Sequence, residues 1–225
     1  TEGQLGVIVE ARLKTIPYEE ETYLFLLLPR WEDDYRPHLE LFQAVNQFRE
    51  NIRACEMLDS NSISYLPEEK RVGKNQDVIF LEVRKNDFEF IYDELLSKLK
   101  CVNEENIFEM VPSKCRELRM SVPRAIFEVN SRMGVTKKGT DVQVHPGDFE
   151  NLLEFYRTYT KLGIDYNLFG HFGDAHLHFN FMPDATKNNF CNVQLEKLYD
   201  KVLEWNGSPY AEQGIGLLNK KFLKK

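Results

Sequence analysis

Apolar positions recur along this chain with two periods, and the switches between them mark out its elements. Thr22 to Leu28 is nearly continuously apolar, the pattern of a strand buried on both faces. Val7 to Lys14 also reads as a strand, closed at Ile16-Pro17. Asp33-Asp34 then offers a cap to a helix carrying Leu39, Leu41, Phe42, Val45, Phe48 and Ile52 at helical spacing. Residues 54–65 are strand-like, and Leu66 to Asn75 is a polar loop with Pro67 and Gly73. Asp77 to Val83 is a strand, Asp87 caps a helix with Phe90, Ile91, Leu95, Leu96 and Leu99, and Asn106 to Met110 is a short strand. Ser113 to Met133 is helical although Pro123 should kink it or start a turn. A basic loop, Gly134 to Thr140, leads to a strand at Asp141 to Val144 and a helix carrying Phe149, Leu152, Leu153, Phe155 and Tyr156. Two strands follow, then a helix from Thr186 to Trp205 and a turn at Asn206-Gly207-Ser208-Pro209. This order predicts an α+β fold, an antiparallel β-sheet with helices packed on one face.

Composition adds limits rather than a function. The 225 residues suit one large domain, with 42% hydrophobic residues for its core and 29% charged residues for its surface. A net charge of −7 and the lack of a basic stripe with interleaved aromatics argue against nucleic acid. The longest apolar run, Tyr23 to Pro29, is far short of a membrane span, and no signal peptide opens the chain. Cys55, Cys101, Cys115 and Cys191 are widely spaced with no C-x-x-C pair, so a reduced, cytoplasmic compartment is the simplest expectation.

The chemistry concentrates in one stretch. Three of the five histidines lie in Gly170-His171-Phe172-Gly173-Asp174-Ala175-His176-Leu177-His178-Phe179-Asn180. Ile164 to Phe169 is rich in β formers, Leu177 to Met182 alternates, and Gly173-Asp174 between them is turn chemistry, so a hairpin with a two-residue turn is expected. That register sets His171 across from His176, with His178 as its diagonal neighbour roughly 7–8 Å away. Alternation puts His176, His178 and Asn180 on one face. Clustered imidazoles at neutral pH point to metal ligation or acid–base chemistry.

Three stretches taken together resemble one family. Thr1-Glu2-Gly3-Gln4-Leu5-Gly6-Val7 resembles the segment closing the flavin-binding domain of FAD-linked oxidases of the vanillyl-alcohol-oxidase type. The histidine stretch resembles their G-H-x-G-D-x-x-L-H-x-N signature, and Ala211-Glu212-Gln213-Gly214-Ile215-Gly216 resembles their A-E-H-G-I-G, in the same order and at matching spacing. Within that family the chain resembles the D-lactate, glycolate and D-2-hydroxyglutarate dehydrogenases. The resemblance implies a ferredoxin-like, substrate-binding cap domain over residues 17–206. Residues 1–16 would be the closing edge of an FAD-binding domain and 207–225 a tail returning toward it. Neither end looks like a natural terminus: the chain opens without Met and stops in a basic amphipathic run, Leu217 to Lys225.

The family likeness also implies roles. His171, His178 and Glu212 would ligate a divalent metal, possibly zinc, and Glu2, Gly3 and Gly6 would edge the FAD site. Arg119 and Lys138 are the candidates for the substrate carboxylate, with Arg124 and Lys137 competing, and Asn180 joins the substrate site. The implied reaction oxidises a 2-hydroxy acid, a base taking the proton while hydride leaves to FAD. One departure matters: the family's histidine after the glutamate is Gln213 here, and an amide cannot accept a proton at neutral pH. His176 is the expected replacement base. His38 lies far along the chain, His145 begins a loop, and the other two histidines would be occupied by metal. The competing expectation is a non-catalytic module that binds a metal or an organic acid, or docks on a separate flavin subunit. The missing FAD-binding domain is the expected partner, and homodimerisation stays open.

Overall fold

The computed structural model describes residues 6–15 and 17–214. Its centre is a seven-stranded antiparallel sheet in the order β4-β1-β3-β2-β6-β7-β5. The strands are β1 (Glu21–Leu28), β2 (Ile52–Leu58), β3 (Asp77–Arg84), β4 (Ile107–Met110), β5 (Lys138–Gly139), β6 (Tyr166–His171) and β7 (His176–Phe181). The helices are α1 (Arg36–Gln47), α2 (Ser60–Ser64), α3 (Phe88–Lys98), α4 (Pro112–Met133), α5 (Phe149–Thr160) and α6 (Asn188–Glu204). The first four strands with α1 and α3 make the ferredoxin-like βαββαβ unit, and the β6–β7 hairpin extends its sheet beside β2. The antiparallel α+β architecture expected from the pattern is therefore present.

Each face of the sheet has its own core. On one, Leu24, Leu26 and Leu28 of β1 and Leu177, Phe179 and Phe181 of β7 pack with Leu41 and Phe42 of α1, Leu95 of α3, Leu152 and Tyr156 of α5, and Leu198 of α6. On the other, Tyr23, Phe25, Phe80 and Leu58 pack under Cys115, Leu118, Val122 and Ile126 of α4 and Ile63 of α2. The helical cover thus extends to the second face, over the first four strands. Burying a side chain of this size contributes about 1.5–3 kcal/mol, so the long apolar stripe of α4 holds it down. Pro123 sits inside α4 without ending it, although it leaves Arg119 without an N–H at its carbonyl.

Several local expectations change. The strand expected to run to residue 65 stops at Leu58, because Asp59 caps α2 by accepting the Ser62 N–H at 2.7 Å. Asp87 begins α3 without a side-chain cap; its carboxylate instead accepts from Arg84 Nε at 2.6 Å and Asn51 Nδ2 at 3.3 Å. Residues 141–144 form only a single bridge, Gln143 with Ser208, because their neighbour is the tail rather than a strand. Val7 to Lys14 pairs with no strand among the described residues and stands exposed, Val9 at 92%. A strand needs a partner for its backbone groups, and alternation alone does not supply one.

Candidate functional site: a histidine–carboxylate cluster

The β6–β7 hairpin carries the site. His171 pairs with His176, Phe169 with His178 and Asn167 with Asn180, so all six point to the face that α4 covers only in part. The register is the one expected, but the turn is not. Phe172–Asp174 forms one tight helical turn and Ala175 is left-handed at φ 52°, with Phe172 buried in the opposite core. Gly170, at φ 138°, lets the strand close up: a Cβ there would stand 3.0 Å from both the His176 carbonyl and His178 Cδ2.

Three other parts of the chain converge on these histidines. Met57 of β2 pairs with Gly170, which sets Glu56 beside His171. Glu56 is buried, with Oε1 3.0 Å from His171 Nδ1 and 2.8 Å from Arg119 Nη2 of α4. From the far side comes the tail. Ser208 exchanges backbone hydrogen bonds with Gln143, the Ala211 N–H donates to the Asp141 carbonyl at 2.8 Å, and the N–H groups of Glu212 and Gln213 donate to the Asp141 carboxylate at 3.2 and 2.8 Å. Thus tethered, Glu212 places Oε2 3.1 Å from His171 Nε2 and Oε1 3.2 Å from His178 Nε2. His176 Nε2 is 3.2 Å from Asp141 Oδ1.

Tautomers follow from the partners. His178 Nδ1 is 3.0 Å from the Thr140 carbonyl, which can only accept, so Nδ1 carries a proton and Nε2 is the nitrogen that faces Glu212 Oε1, at 3.2 Å. Donor atoms of Asp141, His176, His178 and Glu212 lie within 4.8 Å of one another. His171 stands outside that group and touches it through Glu212 Oε2 at 3.1 Å. The grouped residues offer imidazole nitrogens and carboxylate oxygens, donor types that suit a divalent metal. The electrostatics are divided. The Glu56 hydrogen bond raises the His171 pKa to about 9. Burial, then His178, lowers that of His176. Burial pushes Glu212 up, but His171 and then His178 and His176 outweigh it and hold the carboxyl below its ordinary range.

His171, His176, His178 and Glu212 therefore meet in space. Asn180 shares their face, fully buried, with Nδ2 donating to Asn167 Oδ1 at 2.9 Å and Oδ1 without a partner. Arg119 reaches the cluster through Glu56, whereas Arg124 is exposed, about 100° round the helix from Pro123. Lys138 pairs with Phe181 and so belongs to the α6-covered face, away from the histidines; Lys137 is the lysine on their side. His38 is sealed in the core and His145 is exposed on a loop. Gly6 is exposed, and Glu2 and Gly3 lie outside the described residues, as does the end of the third motif from Ile215. Sequence reasoning missed Glu56 and Asp141. A lone carboxylate inside the apolar run of β2 was the available signal for Glu56.

The described residues thus form a ferredoxin-like sheet, extended by a hairpin whose histidines meet a glutamate from the tail. The chain belongs to the family of FAD linked oxidases, C-terminal domain, whose model matches residues 20–225. Among solved structures it is similar to an alkyldihydroxyacetonephosphate synthase, with TM-score 0.50 and 12% identity over 84% of this chain and 40% of that one. It is also similar to a variant of berberine bridge enzyme, a reticuline dehydrogenase, with TM-score 0.46 and 13% identity over 90% of this chain and 43% of that one. At such identities the likeness is one of fold, and the chain spans less than half the length of either protein. No curated protein matches it. Among the described residues no helix is long and apolar enough to cross a membrane.

Proposed function

We propose that this chain is the substrate-binding part of an FAD-dependent oxidoreductase that oxidises a 2-hydroxy acid, of the D-lactate, glycolate or D-2-hydroxyglutarate class, to the 2-oxo acid. The observation that carries the reading is the Glu212 carboxylate held between Nε2 of His171 and Nε2 of His178. These three residues would hold a divalent cation, zinc among the candidates; His178 and Glu212 belong to the group of converging donors, and His171 joins it through Glu212. Such a cation, when bound, supplies a Lewis acid that lowers the hydroxyl pKa of a 2-hydroxy acid. FAD, bound mainly by a separate domain, supplies the hydride acceptor.

The chain's own residues do the rest. His176, kept neutral by burial, accepts the hydroxyl proton, and Asp141 at 3.2 Å steadies the ring. Glu56 holds His171 with Nε2 inward, and Arg119 offers its remaining N–H groups to the substrate carboxylate. Lys137 takes the lysine role expected of Lys138, because it stands on the reacting face. Phe169, its ring centre 6.0 Å from that of His178, presents an apolar surface on that side of the site.

The test uses the full-length protein. Bound metal is measured by elemental analysis, and anaerobic flavin bleaching is followed with D-lactate, glycolate and D-2-hydroxyglutarate. Bleaching by none of the three, with metal content unchanged in His171→Ala, would overturn the reading. Gln213 favours a second one, a non-catalytic module that binds a metal or an organic acid or docks on a separate flavin subunit. Metal and acid binding without bleaching would select it.

A further inference from the structure

Next to the histidine cluster lies a cavity of about 430 Å³, of which the reaction as described uses only the edge at Lys137 and Phe169. Pro123, Ile126 and Phe127 of α4 form one wall, Val135 another, and Phe169 the side toward the site. Phe169 is shared with the cluster, since its ring centre is 6.0 Å from that of His178. The volume is that of small-molecule sites, roughly 300–1,000 Å³, and Asn130, Ser131, Thr136 and Lys137 add polar groups to a lining that is otherwise apolar. Lys137 is the one charged residue in that lining. It is open to solvent yet recessed among protein atoms, which lowers its pKa, and no carboxylate pairs with it among the described residues. It leans toward the site: its Cε lies 3.7 Å from where a Cβ of Gly139 would be, on the strand beside Asn180. Phe127 leaves its ring 72% exposed at the rim.

The geometry points to a substrate with an apolar arm: a medium-chain aliphatic 2-hydroxy acid whose hydrocarbon tail fills the hollow between α4 and Phe169 while its carboxylate meets Lys137. This rests on the proposed hydroxy-acid reading and narrows it. A second carboxylate, as in 2-hydroxyglutarate, would find Lys137 as its one cation, already taken by the first carboxylate, with only the neutral Asn130, Ser131 and Thr136 beside five apolar residues. The arm of lactate, a single methyl group, would leave it almost empty.

The experiment measures kcat/KM for anaerobic flavin reduction in the full-length holoenzyme with lactate, 2-hydroxybutyrate, 2-hydroxyhexanoate, 2-hydroxyoctanoate and 2-hydroxyglutarate. Calorimetric binding of the matching 2-oxo acids runs alongside. Each methylene that enters the cavity should raise kcat/KM and tighten binding about fourfold. Val135→Trp, which fills the hollow, should flatten that dependence, so that the octanoate-to-lactate ratio falls at least tenfold. Turnover of lactate with a flat or falling chain-length series overturns the apolar arm and leaves the hydroxy-acid reading standing. Binding that grows with chain length, without flavin reduction by any acid, supports the cavity as an apolar-arm site and overturns the hydroxy-acid chemistry. Neither binding nor reduction overturns both.

Discussion

Two parts of this molecule bring histidines against carboxylates at nearly the same distance and use them differently. In the core, His38 Nε2 donates to Asp77 Oδ2 at 3.0 Å, with both side chains fully buried. Asp77 is saturated there: the Trp31 N–H reaches Oδ2 at 2.7 Å and the Ser60 N–H reaches Oδ1 at 2.8 Å. On the hairpin, His171 and His178 meet Glu212 at 3.1 and 3.2 Å, but that carboxylate is 45% exposed and accepts from no backbone N–H among the described residues. The first pair ties the loop after β1, α1, α2 and β3 into one body. The second gathers donor atoms on each other beside solvent. Pair geometry alone therefore does not separate a staple from a site; the remaining partners do. A carboxylate filled by backbone N–H groups has no capacity left for a ligand.

The sharpest way to break the contrast is to remove each carboxylate in turn. Asp77→Ala should cost about 3–5 kcal/mol in chemical denaturation, because it leaves His38 and two backbone N–H groups buried and unpaired, while metal content per folded molecule stays the same. A loss under 1 kcal/mol would show that the core cluster is no staple.

The core cluster should also announce itself in pH. Asp59, fully buried near Asp77, has its pKa raised from 3.8 to about 7, first by burial and then by Asp77. Between those values the native protein binds more protons than the unfolded chain, so stability falls as pH rises from about 4 to 7, by roughly 3–4 kcal/mol. Asp59→Asn should remove that slope, with His38 and Asp77 left in place. Parallel stability–pH curves for the two proteins would contradict the assignment.

On the hairpin the effects should fall on ligands rather than on the fold. Glu212→Gln or His178→Ala should lower metal affinity about a hundredfold or more, beyond the losses for outer hydrogen-bond partners. Glu212→Gln should shift the denaturation midpoint little, the side chain being half exposed. Metal retained in both variants would remove the hairpin from the argument. The smallest effect belongs to Glu56→Gln. It weakens the hold on His171 Nδ1 and should cost about tenfold in metal affinity. An unchanged affinity would mean that His171 needs no orienting partner.

Much of this was present in the order of residues. The run from Thr22 to Leu28, the helical stripes and the hairpin alternation depend on backbone periods of 2 and 3.6, which are local and survive without tertiary information. So does the pairing of His171 with His176, which follows from where the Gly173-Asp174 turn falls. The turn's own shape did not follow, because burial of Phe172 in the opposite core bends it. Nor did Val7 to Lys14 become a strand among the described residues, for want of a partner within them.

Residue order alone was enough for the antiparallel α+β class, for the common face of His176, His178 and Asn180, and for the family. It took the folded chain to show that Glu56, 115 positions before His171, orients its ring, and that Asp141 moors the tail carrying Glu212. It also decided which of two adjacent lysines shares the face of the histidines, since that turned on the pairing of β5 with β7. The reason is physical: alternation says which residues share a face, but only the packing of distant segments says what stands opposite that face.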